Sequence, residues 1–171
     1  ALERATKGGN RLFLVTQKHV DTDEPMKEDL YSMGCIATVK QVVTLPNKIL
    51  RVLVQGESRG RLLSFDEEQE KYLLAEVEVQ FLQTGSWESA EEEARVRILK
   101  DVIQEYLLYQ PNVPKIVPIT ATESSHLSEL IQVCMNHLPF SHQIRQEFLE
   151  TYEEEKLYEA LLGKLTEEVD I

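Results

Sequence analysis

GCIATVKQVVTLPNKILRVLVQGESRGR, residues 34–61, is the stretch that decides the fold of the amino-terminal half. In its first part the apolar residues Cys35, Ala37 and Val39 alternate with the polar residues Thr38 and Lys40. This alternation is typical of a strand with one buried face. The segment Leu45–Lys48 then places proline and asparagine at the two central positions of a turn. Alternation resumes over Leu50–Val54, and Gly56 and Gly60 predict a second turn. The stretch therefore predicts a β-hairpin followed by a short strand, Arg61–Phe65.

The rest of the amino-terminal half continues as β-structure. The charged run DEEQEK, residues 66–71, predicts a turn, and the alternation over Leu73–Phe81 predicts another half-buried strand. The segment Gln83–Ser86 is rich in turn-forming residues and marks a boundary. We therefore expect a β-rich lobe over residues 1–84 and a helical lobe over residues 85–171, an α+β fold class.

Helical spacing of apolar residues dominates the second half. Ser89 and Glu92 form a capping-box pattern at the first helix start, and Ser141 is positioned to cap a later helix. The prolines between Gln110 and Ile119 predict a helix-free segment. Gly163 lies inside the last helix and suggests a close packing contact. The predicted core stripes are Ala94, Ile98, Val102 and Tyr106 beside Leu99 and Ile103; Leu127, Leu130, Ile131, Cys134 and Leu138; and Leu157, Leu161 and Leu165 beside Tyr158, Leu162 and Val169.

The composition excludes several classes of function. The formal net charge is −12, which argues against a nucleic-acid partner, because such binding depends on basic contacts to phosphate. No apolar run is long enough to span a bilayer, so we expect no membrane partner. The two cysteines, Cys35 and Cys134, lie in apolar patterns far apart in sequence, which favours free thiols in a reducing compartment and a cytoplasmic location.

The sequence contains little that indicates a catalytic or metal-binding site. The sequence has neither a phosphate-binding G-x-x-x-x-G-K-[ST] loop nor a G-x-S-x-G nucleophile motif. Cys134 and His137 lie one helical turn apart, with His142 nearby, which is the beginning of a zinc pattern. However, Cys134 belongs to an apolar stripe and no second ligand pair follows, so a core cysteine is favoured. We expect no catalytic, cofactor-binding or metal-binding residue in this chain.

The layout of the hairpin resembles the amino-terminal, substrate-binding domain of the Lon family of ATP-dependent proteases (endopeptidase La). The resemblance rests on G-x-x-A-x-V-x-Q from Gly34, then LPN, then R-V-L-V-x-G-x-x-R from Arg51. It extends upstream to LFLVTQK and downstream to LPFSHQIRQEFLE, so it covers nearly the whole chain. Three departures are Lys48, where the family usually has glycine, Gln55, where glutamate is common, and Gly60, where alanine is usual.

The resemblance implies a fold and a role. The fold would be a β-rich, PUA-like pseudo-barrel lobe followed by a helical bundle. We expect the family's first strand to be missing from this chain and a further domain to follow it in the parent protein. The domain would capture unfolded, damaged or degron-bearing proteins and support self-association into a hexameric ring. The parent protein would be an ATP-dependent serine endopeptidase that needs ATP and magnesium in a separate module. The alternative is a stand-alone Lon-domain binding module with neither ATPase nor protease.

Apolar residues in loops are the candidate capture site. Met26, Leu30, Tyr31 and Met33 cluster before the hairpin, and methionine suits surfaces that accept many partners. Packing of Leu30, Tyr31 and Met33 into the core of the β-rich lobe is the competing interpretation. The proline-rich segment of residues 110–119 is a second candidate surface.

Overall fold

The computed structural model describes residues 1–66 and 72–169, which form two compact units, Ala1–Phe81 and Leu82–Ile171. The first unit is built on one antiparallel sheet and the second is helical, so the predicted α+β class is confirmed. The charged turn predicted for residues 66–71 lies, beyond Asp66, outside the described residues. In the described part of the chain no helix combines the length and apolarity needed to cross a membrane.

The sheet unit has a simple sequential topology. Its strands pair antiparallel in the order β1-β2-β3-β4, so β1 and β4 are the two edges. The bounds of its elements are α1 Leu2–Lys7, β1 Arg11–Leu14, a 3₁₀ turn Lys27–Asp29, β2 Met33–Thr44, β3 Leu50–Asp66 and β4 Leu74–Gln80.

The β2–β3 hairpin closes at the predicted position. The Lys48 amide donates to the Leu45 carbonyl at 2.9 Å, and the Leu45 amide donates to the Ile49 carbonyl at 2.8 Å. Lys48 has a φ of 63°, so Pro46–Lys48 form a three-residue loop, a type I turn followed by a left-handed residue. The second turn predicted at Gly56 and Gly60 was wrong, because β3 runs unbroken through both glycines.

The helical unit packs around one apolar core. Its helices are α2 Ser89–Tyr109, α3 Ile116–Glu123, α4 Leu127–His137, α5 His142–Glu150 and α6 Glu154–Val169. The stripe predicted on α4 is confirmed, since all its members are buried. On α6 Leu157, Tyr158, Leu161 and Leu165 are buried, whereas Leu162 and Val169 are partly buried against the same core. On α2 the prediction was partly wrong: Ile98 is exposed, and the buried stripe is Val96, Leu99, Ile103 and Tyr106.

Helix ends in this unit follow tertiary contacts as much as local sequence. Ser141 caps α5 as predicted, accepting from the Ile144 amide at 3.3 Å. The capping box at Ser89 was wrong, because the Glu92 carboxylate accepts from the Leu127 amide at the start of α4. The helix-free prediction for residues 110–119 also fails after Lys115, since α3 begins at Ile116. Pro118 is tolerated in its first turn, where the backbone amides lack intrahelical partners.

The segment that precedes α2 is tied to the start of α6. The Gln83 amide donates to the Tyr152 carbonyl at 2.7 Å, and the Gly85 amide donates to the Glu154 carboxylate at 2.7 Å. The Arg95 guanidinium stacks on Trp87, 4.1 Å from the ring centroid, and also faces Tyr158 at 5.0 Å. These contacts join α2 and α6 at one end of the helical unit.

Candidate functional site

The sheet unit carries an open groove of about 840 Å³ with mainly apolar walls. Helix α1 and all four strands contribute to it, together with Leu30 and the residues that lead into β4. The lining residues are Ala1, Arg4, Ala5, Gly8, Arg11, Leu12, Phe13, Val15, Leu30, Ile36, Leu62, Phe65, Tyr72, Leu73, Leu74, Ala75 and Val77. Apolar walls of this size suit aliphatic or aromatic side chains of a bound molecule.

A β-bulge in β3 shapes the floor of this groove. Leu62 pairs with Val77 and Ser64 with Glu76, so Leu63 is an extra residue with no partner opposite it. In a regular strand Leu62 and Ser64 would share a face, whereas the extra residue brings Phe65 onto the face of Leu62. The bulge therefore widens the apolar floor and places Leu63 outside the groove lining.

Two glycines leave room for the Phe13 ring at the end of the floor. Gly34 and Gly60 lie opposite each other on β2 and β3. A Cβ on Gly34 would come within 2.7 Å of the Phe13 ring, and a Cβ on Gly60 within 3.1 Å. A Cβ on Gly60 would also lie 2.5 Å from a Val77 methyl carbon. The absence of side chains at this pair therefore lets Phe13 and Val77 approach the sheet closely.

Two arginines, Arg4 and Arg11, belong to the lining of the groove. Arg11 pairs with Glu57 at 3.0 Å. A hydrogen bond from the Thr38 hydroxyl, followed by the charge of Arg11, lowers the pKa of the Glu57 carboxyl. At neutral pH Glu57 is ionised and forms an exposed ion pair with Arg11. The charged residues of the groove lining are Arg4 and Arg11, and the rest of the lining is mainly apolar.

The described residues do not form a metal centre. Among them no group of three or more histidine, cysteine, aspartate or glutamate side chains is arranged to hold a metal ion. Cys134 lies in the core of the helical unit, and burial raises the pKa of its thiol to about 12. A thiol in that state is a poor ligand and nucleophile at neutral pH. The apolar walls of the groove, by contrast, can bind another molecule by burying its apolar surface.

The four predicted site residues have different environments. Met26 is 51% exposed beside the 3₁₀ turn, and its amide donates to the Asp29 carboxylate at 2.9 Å. Leu30 is half-buried and lines the groove.

Tyr31 is half-buried, and its amide donates to the Thr16 carbonyl at 3.0 Å. Met33 is 4% exposed and alternates with Gly34, so its side chain lies on the other face of β2 and belongs to the core.

Sequence reasoning missed most of the groove. Phe13 lies on β1, whereas Leu62 and Phe65 lie on β3, and strand pairing through β2 brings them to one groove. The alternation in β4 was the one usable signal, because it placed Ala75 and Val77 on a common face. The second candidate surface has exposed apolar residues at Ile116 and Ile119, and these lie on α3.

Comparisons with known proteins give a consistent family. The family model described as the ATP-dependent protease La (LON) substrate-binding domain matches residues 1–167. A Lon protease of Brevibacillus choshinensis is 33% identical over all of this chain and 22% of its own length. One of Clostridioides difficile is 32% identical, with the same coverage of both proteins. The chain therefore spans about a fifth of the length of these relatives.

A solved structure has the same fold. The N-terminal domain of a Mycobacterium avium complex Lon protease superposes with a TM-score of 0.69 at 16% identity, over 97% of this chain and 83% of that one. The order of sheet and helices, the sequence matches and the family match over residues 1–167 agree. The chain belongs to the Lon substrate-binding domain family.

Proposed function

We propose that this chain captures unfolded or damaged polypeptides by burying their apolar side chains in the groove of the sheet unit. The observation that carries the proposal is the groove itself, an open apolar cavity of about 840 Å³ in a member of a substrate-binding domain family. Full burial of one leucine or phenylalanine side chain contributes about 1.5–3 kcal/mol before the cost of ordering the chain. Two or three such side chains account for reversible capture.

The parent protein, on this proposal, is a cytoplasmic ATP-dependent serine endopeptidase of the Lon type. Support comes from relatives named Lon protease, which extend well beyond the length of this chain. ATP and magnesium would act in another part of that protein, since the described residues offer no metal-binding cluster. The domain would also support assembly of the protomers into a hexameric ring, which would raise the local concentration of capture sites.

A matched pair of leucine substitutions tests the groove. Leu74 is 57% exposed and lines the groove, whereas Leu63 is 43% exposed and does not. Leu74→Ser should weaken binding of an unfolded model protein about tenfold, because a leucine that is buried on binding is lost. Leu63→Ser removes the same side chain from the same unit and should leave binding unchanged. Equal effects of the two substitutions, in variants with native far-ultraviolet spectra, would refute the groove as the capture site.

A further inference from the structure

The β2–β3 hairpin extends past the rest of the sheet. β1 pairs with β2 at Cys35–Thr38, and β4 pairs with β3 at Arg59–Asp66. Over residues 40–55, here called the arm, the two strands pair with each other and with no other strand of the described chain. The outward-pointing amides and carbonyls of the arm are therefore open to an added strand.

The arm is apolar on both faces. None of its residues is buried. Val42 pairs with Val52, and Thr44 with Leu50, on one face, while Gln41 pairs with Leu53, and Val43 with Arg51, on the other. Its exposed aliphatic side chains are Val42, Val43, Ile49, Leu50 and Leu53. A two-stranded ribbon with this much exposed apolar surface is marginal in water, which indicates a partner.

The arm also has a charge opposite to that of the chain. It contains Lys40, Lys48 and Arg51 and no carboxylate, whereas the whole chain has a net charge of −12. Lys40 lies near Glu57 at the base of the arm, but Lys48 and Arg51 form no ion pair with residues that the structure describes. A partner that complements both the exposed aliphatic side chains and the positive charge of the arm is itself apolar and acidic.

We propose that the arm binds an extended polypeptide segment that is both apolar and acidic, added as a strand along its open edge. No residue of the arm lines the groove, so the inference adds a second contact surface to the proposed function, on which it rests, and names the class of polypeptide preferred. Main-chain hydrogen bonds would supply affinity, and alternate side chains would contact the aliphatic groups and the cations. A nucleic acid fits less well, because the arm has no aromatic residue on which bases stack. A bilayer interface fits less well for the same reason, since interfacial segments favour tryptophan and tyrosine.

Two labelled peptides of equal length and apolar content test the proposal, one flanked by aspartate and glutamate and the other by lysine. Fluorescence anisotropy at physiological ionic strength, where the net charge of the whole chain is largely screened, should show the acidic peptide binding about tenfold tighter, and high salt should reduce the difference. Lys48→Glu combined with Arg51→Glu should abolish or reverse the preference. Arg97→Glu combined with Lys115→Glu makes the same change of net charge at exposed positions of the helical unit and should preserve it.

Leu50→Ser combined with Leu53→Ser should also weaken the acidic peptide about tenfold, with the native far-ultraviolet spectrum retained because neither side chain is buried. If the arm variants bind the acidic peptide like the parent while Leu74→Ser weakens both peptides, capture stands and the arm proposal fails. If neither peptide binds the parent chain, the proposed function fails. Losses confined to duplex DNA, to anionic vesicles or to self-association, with peptide binding intact, would overturn the arm proposal.

Discussion

At the scale of single residues, the hairpin turn and the helix ends depend on both local chemistry and tertiary contacts. Proline and asparagine occupy the centre of the hairpin turn, and its left-handed residue is Lys48, where glycine would be the expected choice. Ser141 caps its helix as the pattern indicated, but Glu92 bonds to a helix 35 residues away. A capping pattern is local, whereas a carboxylate accepts from any amide that tertiary packing brings close.

Cys134 gives stability a defined pH dependence. Burial raises the pKa of its thiol from 9.0 to about 12, so the folded state holds this proton more tightly than the unfolded state. The thiol stabilises the fold fully below pH 9, and its contribution falls by about 1.4 kcal/mol per pH unit above that. The free-energy difference between the parent and Cys134→Ala should therefore shrink by about 1.4 kcal/mol from pH 8 to pH 10. Urea denaturation at both pH values measures it, and an unchanged difference would contradict a buried neutral thiol.

At the scale of elements, sequence periodicity predicted strands and helices but not how they pair. The β3 bulge at Leu63 brings Phe65 onto the groove floor, and nothing in the local alternation marks this extra residue. The glycines at positions 56 and 60 predicted a turn, whereas Gly60 serves the close approach of Phe13 and Val77. Glycine permits both outcomes, and long-range pairing selects between them.

Gly60 and Gly163 should respond to alanine with opposite signs. A Cβ on Gly60 would lie 2.5 Å from a Val77 methyl carbon, so Gly60→Ala should destabilise the sheet unit by about 1–3 kcal/mol. Gly163 has no atom within 4 Å of its Cβ position, contrary to the packing contact expected from sequence, so Gly163→Ala should stabilise α6 by about 1 kcal/mol.

Chemical denaturation measures both changes, and the double variant Gly60→Ala with Val77→Ala provides the control. Removing the Val77 methyl groups relieves the closest of the clashes, so the double variant should recover part of the stability relative to the sum of the two single changes. Strict additivity of the two substitutions would show that Gly60 is required for another reason.

At the scale of the whole molecule, the fold class and the family could be predicted from the sequence. Both depend on residue patterns along the chain and do not require knowledge of how the strands pair. The groove could not be predicted, since its floor depends on the register of four strands and on one bulge. The predicted capture residues were close in sequence, but the structure buries Met33 and exposes Met26. Met26 lies in the loop beside the 3₁₀ turn, whereas Met33 begins β2, so closeness in sequence does not place the two side chains on one surface.

Methyl-resolved NMR tests the central claim, capture in the groove, most directly. Titration of an unfolded model protein into the isotope-labelled chain should shift the methyl resonances of Leu62, Leu74 and Val77, which line the groove. Resonances of Leu130 and Leu161, in the core of the helical unit, should remain unchanged. Shifts confined to Ile116 and Ile119 on α3, with the groove methyl groups unaffected, would contradict the account and assign capture to the helical unit.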